Sequence, residues 1–214
     1  MPVFIFDMDG TLTDTNHLWH SYGVCYLQSL GITPPEEDVM RSCRIGVPAH
    51  CRELIETYHL DITPDALWQW HMSKMPEHYA KGTVKRDIIA FLEKAKAKGI
   101  KMAVATATPH ELCDAFLQRV GLWDYFDLVY TNSQWNTTKE KPDLYLRCCK
   151  DLGAKPEQAV IFEDALYAVK TATKAGLYTV GIREATEVHP DEVERLADQY
   201  IVNYVDLDWN KLPK

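Results

Sequence analysis

Val3-Phe4-Ile5-Phe6-Asp7-Met8-Asp9-Gly10-Thr11-Leu12-Thr13-Asp14 is the stretch that decides how the chain folds. Val3 to Phe6 is an apolar run of β-branched and aromatic residues, the pattern of a strand buried on both faces. It ends on two carboxylates one residue apart, with a glycine next, where the backbone must turn. In open α/β sheets the chemistry sits beyond the carboxyl ends of the strands, and this stretch delivers two acids there. An Asp-Gly turn with solvated acids has the same local appearance, so the rest of the chain must carry the reading.

Beyond residue 83 the pattern is strand–helix alternation. The spacing predicts a helix carrying Ile88, Ile89, Leu92 and Ala95 that stops at Gly99, a strand over Lys101–Thr106, a helix from Pro109 to Val120, and a short strand at Leu128–Tyr130. A helix from Pro142 to Leu152, a strand at Ala159–Phe162, a helix from Asp164 to Ala175, and strands at Tyr178–Ile182 and Tyr200–Val202 follow. Such alternation implies parallel strands with right-handed crossovers. Residues 14–81 differ. Leu18, Tyr22, Cys25 and Tyr26 fall at helical spacing, Pro34-Pro35-Glu36-Glu37 reads as a helix start, Gly46 and Pro48 break the segment from Arg41, and helices are predicted over Ala49–Tyr58 and from Pro64. No strand pattern occurs there.

The chain has 214 residues, 46% of them hydrophobic, and a net charge of −8, which is enough for one large domain or a domain with an insert. The negative balance argues against nucleic acid as partner. Cys25, Cys43, Cys51, Cys113, Cys148 and Cys149 form no Cys-x-x-Cys pair. No apolar run approaches the ~18 residues of a membrane-spanning helix, and no signal peptide precedes the first strand. A reduced cytoplasmic protein with no membrane partner is the expectation.

Asp7-Met8-Asp9-Gly10-Thr11-Leu12-Thr13-Asp14 resembles the first motif of the haloacid dehalogenase superfamily of phosphohydrolases, Asp-x-Asp-Gly-Thr/Val-x-x-Asp. Thr106, closing an apolar strand, resembles the second motif, with Thr108 beside it offering the same chemistry. The third motif is usually Lys-Pro-x-Pro-Asp; here it reads Lys139-Glu140-Lys141-Pro142-Asp143, which in ungapped alignment gives Lys139 the catalytic place and Lys141 the variable one, with Glu140 in place of the first Pro and Lys141 as the alternative cation. Glu163-Asp164 resemble the fourth motif, with Ala165 where Ser is usual. Each of the last three is soft alone, but their joint order spans the chain.

The resemblance implies a Rossmann-like α/β core of parallel strands, residues 1–14 and 82–214, with an α-helical cap at 15–81 between the first and second motifs. It implies Asp7 as nucleophile, Asp9 as general acid and base, Thr106 and the backbone N–H of Ala107 as phosphate-binding groups, and Lys139 as the charge-balancing cation. It implies Mg²⁺ on Asp7, Asp9, Glu163 and Asp164. The residue chemistry agrees: a carboxylate can form an aspartyl-phosphate, adjacent acids push one pKa upward, and Mg²⁺ takes hard oxygen ligands.

Within the family the acid at Asp9 favours phosphate esters, whose alcohol leaving group needs a proton. The implied partner is a small phosphorylated metabolite. The members resembled include the phosphoglycolate phosphatases and the β-phosphoglucomutases. Trp19 stands where the mutases carry His, and Ala49 where they carry an Arg for the second phosphate, although Arg41, Arg44 and Arg52 lie nearby. A hydrolase is therefore expected, with a mutase and a non-catalytic phospho-ligand module as the alternatives.

Overall fold

Val3–Phe6 becomes an inner strand of a six-stranded parallel sheet in the computed structural model, which describes residues 1–35 and 41–214. The helix start predicted at Pro34-Pro35-Glu36-Glu37 runs into residues outside those described. In chain order the main elements are β1 (Val3–Phe6), α1 (Asn16–His20), α2 (Tyr22–Ser29), α3 (Arg41–Ile45), α4 (Val47–Tyr58) and α5 (Pro64–Lys81). They continue with α6 (Ile88–Ala97), β2 (Lys101–Thr106), α7 (His110–Arg119), β3 (Leu128–Thr131), α8 (Asp143–Leu152) and β4 (Ala159–Glu163). The last are α9 (Leu166–Lys174), β5 (Tyr178–Ile182), α10 (Pro190–Leu196) and β6 (Gln199–Ile201). Two compact units result: Met1–Asp14 together with Thr83–Lys214, and Thr15–Gly82.

The strand order is β3-β2-β1-β4-β5-β6. Phe6 lies in register with Val104 of β2 and Phe162 of β4, so the carboxyl ends of these three strands come out side by side. The chain leaves β1 toward one edge and later returns to its other side, and that reversal is where such sheets hold ligands. Alternation along the strands feeds two cores. Val3, Ile5, Ala103, Ala105 and Ile161 pack with Leu144, Tyr145, Cys148, Cys149 and Leu152 of α8. On the opposite face Phe6 stacks on Phe162 with centroids 4.5 Å apart, and Phe4 stacks on Phe91 of α6 at 5.9 Å. Each fully buried aromatic side chain of this kind contributes roughly 1.5–3 kcal/mol relative to exposure.

Several boundaries differ from the sequence reading. Pro48 sits in the first turn of α4, where a missing N–H costs nothing, so that helix begins at Val47; Gly46, at φ 80°, separates it from α3. The helix after β4 begins at Leu166 with Ala165 as its N-cap, so Asp164 precedes the helix instead of opening it. β6 is shifted one residue earlier, and α10 was not predicted at all. All six cysteines are free thiols. Burial pushes Cys148 up to about 12 and Cys149 up to about 11, which makes them poor nucleophiles. No helix among the described residues is long and apolar enough to cross a membrane.

The unit Thr15–Gly82 is built on Tyr22, Leu27, Cys51, Leu54 and Leu67. The Tyr22 hydroxyl meets His50 Nδ1 at 2.8 Å. His71 is fully buried against Tyr22, Trp68 and His78, and neither ring nitrogen has a hydrogen-bond partner. Burial first, then the His78 ring, hold its pKa down to about 4. The unfolded chain takes up a proton on this residue near pH 6.5 that the folded unit refuses until about 4. Stability from this group is therefore complete above pH 6.5 and is lost as pH falls toward 4. His71→Leu is expected to flatten the pH dependence of the unfolding midpoint between pH 6.5 and 4.5; an unchanged slope in urea titrations would show that other groups control it.

Candidate active site

The ladder between β1 and β4 runs one residue past the strand, through Asp7 N–H to the Phe162 carbonyl at 2.9 Å. The backbone then closes on itself. The Met8 carbonyl accepts from the N–H groups of Leu12 and Thr13, at 2.9 and 3.0 Å, and from the Thr13 hydroxyl at 3.0 Å. Gly10 adopts φ 83°, a region that side chains with a Cβ rarely enter, and donates its N–H to the Thr13 carbonyl at 2.9 Å. Met8 and Leu12 are buried, and they anchor a rigid turn whose acids, Asp7 and Asp9, each retain 8% exposure. The exit is pinned as well: Thr13 bridges Val84 in antiparallel fashion, and Asp14 N–H donates to the Thr83 carbonyl at 2.9 Å.

Lys139, just before α8, is 2% exposed, whereas Glu140 and Lys141 are exposed. Its ammonium donates to Asp7 Oδ1 and to Glu163 Oε1, the second at 2.5 Å. The Tyr145 hydroxyl donates to the same Glu163 Oε1 at 2.8 Å. Asp164 accepts from the Thr11 hydroxyl at 3.0 Å. At the end of β2 the Thr106 hydroxyl accepts the Thr108 N–H at 3.0 Å, and the Thr108 hydroxyl donates to Asp9 Oδ2. Ala107 is exposed between them. The structure thus groups Asp7, Lys139, Glu163 and Asp164 as one buried charge cluster, and links Thr106 to Asp9 through Thr108.

Burial pushes the Asp7 carboxyl up to about 7; Lys139 opposes the rise, and Glu163 and Asp9 reinforce it. Asp164 is raised well above the usual carboxylate range, by burial first and then by Asp7 and Glu163. Burial disfavours the charged form of Lys139, yet the carboxyls of Asp7 and Glu163 outweigh it and raise its pKa. Among the described residues the Lys139 ammonium bonds two of these three buried acids, Asp7 and Glu163, while Asp164 meets the Thr11 hydroxyl, so the cluster is short of positive charge.

A hard divalent cation fits that shortage. Asp7, Glu163 and Asp164 each offer an oxygen, and these oxygens lie within 4.8 Å of one another. Glu163 Oε2 is buried and has no hydrogen-bond partner, an uncommon condition that an ion or its hydration shell would relieve. Tyr145, the Thr11–Asp164 bond and the Thr108–Asp9 bond were not legible from the motifs. Tyr145 reads as a core position of an amphipathic helix, and only the strand-to-helix packing brings its hydroxyl to Glu163.

Residues 4–182 match the profile of the haloacid dehalogenase-like hydrolases, and the chain belongs to that family. It is similar to the phosphorylated carbohydrates phosphatase of Thermotoga maritima, with 34% identity over 83% of this chain and 82% of that protein. It is similar to the phosphoglycolate phosphatase of Rhodobacter capsulatus, with 30% identity over 86% of each chain. Among solved structures, a Thermotoga maritima protein assigned as a β-phosphoglucomutase superposes with a TM-score of 0.79 and 28% identity over 94% of both chains. The protein is an enzyme of the phosphoric monoester hydrolase class, a phosphatase.

Proposed function

We propose that this phosphatase hydrolyses a small phosphorylated metabolite, with Mg²⁺, through an aspartyl-phosphate on Asp7. The observation that carries the reading is Asp7 at the carboxyl end of β1, paired to a buried ammonium and grouped with two more buried acids. In this scheme Asp7 attacks phosphorus and the bond to the leaving oxygen breaks. Asp9 gives that oxygen its proton, and then takes one from the water that attacks the aspartyl-phosphate, releasing inorganic phosphate and restoring Asp7. The Thr106 hydroxyl and Ala107 N–H hold a phosphoryl oxygen, and Lys139 offsets the charge that gathers there. Asp7, Glu163, Asp164 and the Asp9 carbonyl hold the Mg²⁺, which when bound supplies positive charge against the phosphoryl oxygens.

Residues 15–81 are proposed as the cap that selects the substrate. The relatives named for phosphorylated carbohydrates and phosphoglycolate support a small organic phosphate in this role. A phosphomutase finds less support. The Trp19 indole N–H donates to the Tyr79 hydroxyl at 2.9 Å, which commits this position to packing within its own unit. Ala49 brings no cation, and Arg41 is tied to Glu53 at 2.9 Å.

Chelation tests the metal. Excess EDTA is expected to abolish phosphate release from p-nitrophenyl phosphate, and added Mg²⁺ to restore it. Ca²⁺ is expected to support turnover poorly, because its looser and higher coordination misplaces the nucleophile. Full activity in excess chelator would overturn the assignment.

A further inference from the structure

We infer that Tyr145 is a positioning residue for the divalent cation: its hydroxyl and Lys139 together tie down one oxygen of Glu163 so that the other is left to the ion. The inference rests on the Mg²⁺ reading above and deepens it.

The two oxygens of Glu163 are in unlike states. Oε1 accepts from the Lys139 ammonium at 2.5 Å and from the Tyr145 hydroxyl at 2.8 Å. Oε2 is buried and accepts from nothing. A carboxylate left to itself swivels about its last torsion and shares its donors between both oxygens, so one-sided engagement needs a cause. Lys139 alone does not supply it, because a flexible ammonium with rotatable donors can follow either oxygen and also serves Asp7. Tyr145 is different. Its ring is fully buried in the core that α8 makes with the sheet, among Ile5, Leu144, Cys148 and Ile161, so the hydroxyl points from a fixed platform. A rigid donor on Oε1 locks the carboxylate plane, and the locked plane leaves Oε2 as the free acceptor of a residue that sits in one cluster with Asp7 and Asp164, each of the three bringing a carboxylate oxygen within 4.8 Å of the others. Groups that hold a ligand's far oxygen in this way set how well the near one is presented.

Without the hydroxyl, Glu163 can turn Oε2 toward Lys139 and withdraw it from the ion. Tyr145→Phe keeps the ring that fills the core and removes only this bond. Mg²⁺ binding to the substrate-free protein, measured by calorimetry, is expected to weaken about 10- to 100-fold in this variant, the usual scale for losing such a partner. In a Glu163→Gln background the same substitution is expected to add almost nothing, because its effect runs through that carboxylate. In the wild-type protein the Tyr145 ring resonances are expected to shift along the calorimetric isotherm, a measurement that needs no variant.

Each result decides the matter. A Tyr145→Phe dissociation constant within about twofold of wild type overturns the role of Tyr145 while leaving the metal in place. An equal further loss in the Glu163→Gln background also overturns it, since the hydroxyl would then act elsewhere. Ring resonances that ignore Mg²⁺ do the same. A wild-type protein that binds no Mg²⁺ removes the metal reading itself, and this inference with it.

Discussion

Asp7→Asn is expected to lose phosphatase turnover by a factor on the order of 10⁴ to 10⁶, the scale of removing a nucleophile, while Asp9→Asn loses it selectively. Asp9 serves both half-reactions, but the first depends on the leaving group. An alkyl phosphate expels a poor alkoxide and needs the proton, so its phosphoryl transfer should fall by about 10²–10⁴ when general acid catalysis is lost. An aryl phosphate such as p-nitrophenyl phosphate leaves readily and should transfer much faster. Hydrolysis of the aspartyl-phosphate still lacks its base, so the intermediate should accumulate. Rapid quenching of Asp9→Asn with the aryl substrate is expected to give a burst close to one equivalent, with label on Asp7. If no phosphoenzyme forms and the variant turns over at the wild-type rate, water attacks directly and Asp7 is only a ligand.

The second large effect separates two lysines in one short loop. Lys139→Ala is expected to lower kcat by about 10²–10³, as for a preorganised donor lost from a buried charge site. Lys141→Ala should stay near wild type, because Lys141 is exposed and Lys139 is the residue buried against Asp7 and Glu163. Steady-state kcat at saturating aryl phosphate and Mg²⁺ checks the ranking. The reverse order would mean that the loop rearranges in the working enzyme and brings Lys141 inward.

The parallel core was legible because its strands are buried on both faces. Val3–Phe6, Met102–Thr106 and Ala159–Phe162 have no polar alternation to confuse with helix, and turn residues bound them. Helix starts were less so. Pro48 carries the same signal whether it breaks a helix or opens one, and only the conformation of Gly46 decides. Asp164 has the look of an N-cap, yet Thr11, far away in sequence, takes up its oxygen. The charge-bearing residues could be named from motif order, whereas the partners that orient them could not. The Thr108 hydroxyl could be named as phosphate-binding chemistry but not as the partner of Asp9, and the periodicity of Tyr145 reports burial alone although its hydroxyl bonds Glu163. Lys139 and Lys141 are chemically identical; motif alignment favours Lys139, and it is Lys139 that is buried while Lys141 is exposed.

The pinned exit of the first turn bears on how the chain finds its fold. β1 must pair with β2, and in the open chain that contact closes a loop of about 95 residues. The Thr13–Val84 bridge and the Asp14–Thr83 hydrogen bond draw both ends of residues 15–82 together. Once they form, the loop left to close runs only from the bridge to Lys101 and back along the turn, roughly a quarter as long, which makes that last closure cheaper by about 1 kcal/mol. The intervening unit then becomes a spectator to sheet assembly. Its length and sequence can drift with little cost to the pairing of β1 with β2, so a lineage can remodel this unit without having to refit the strands that carry the acids.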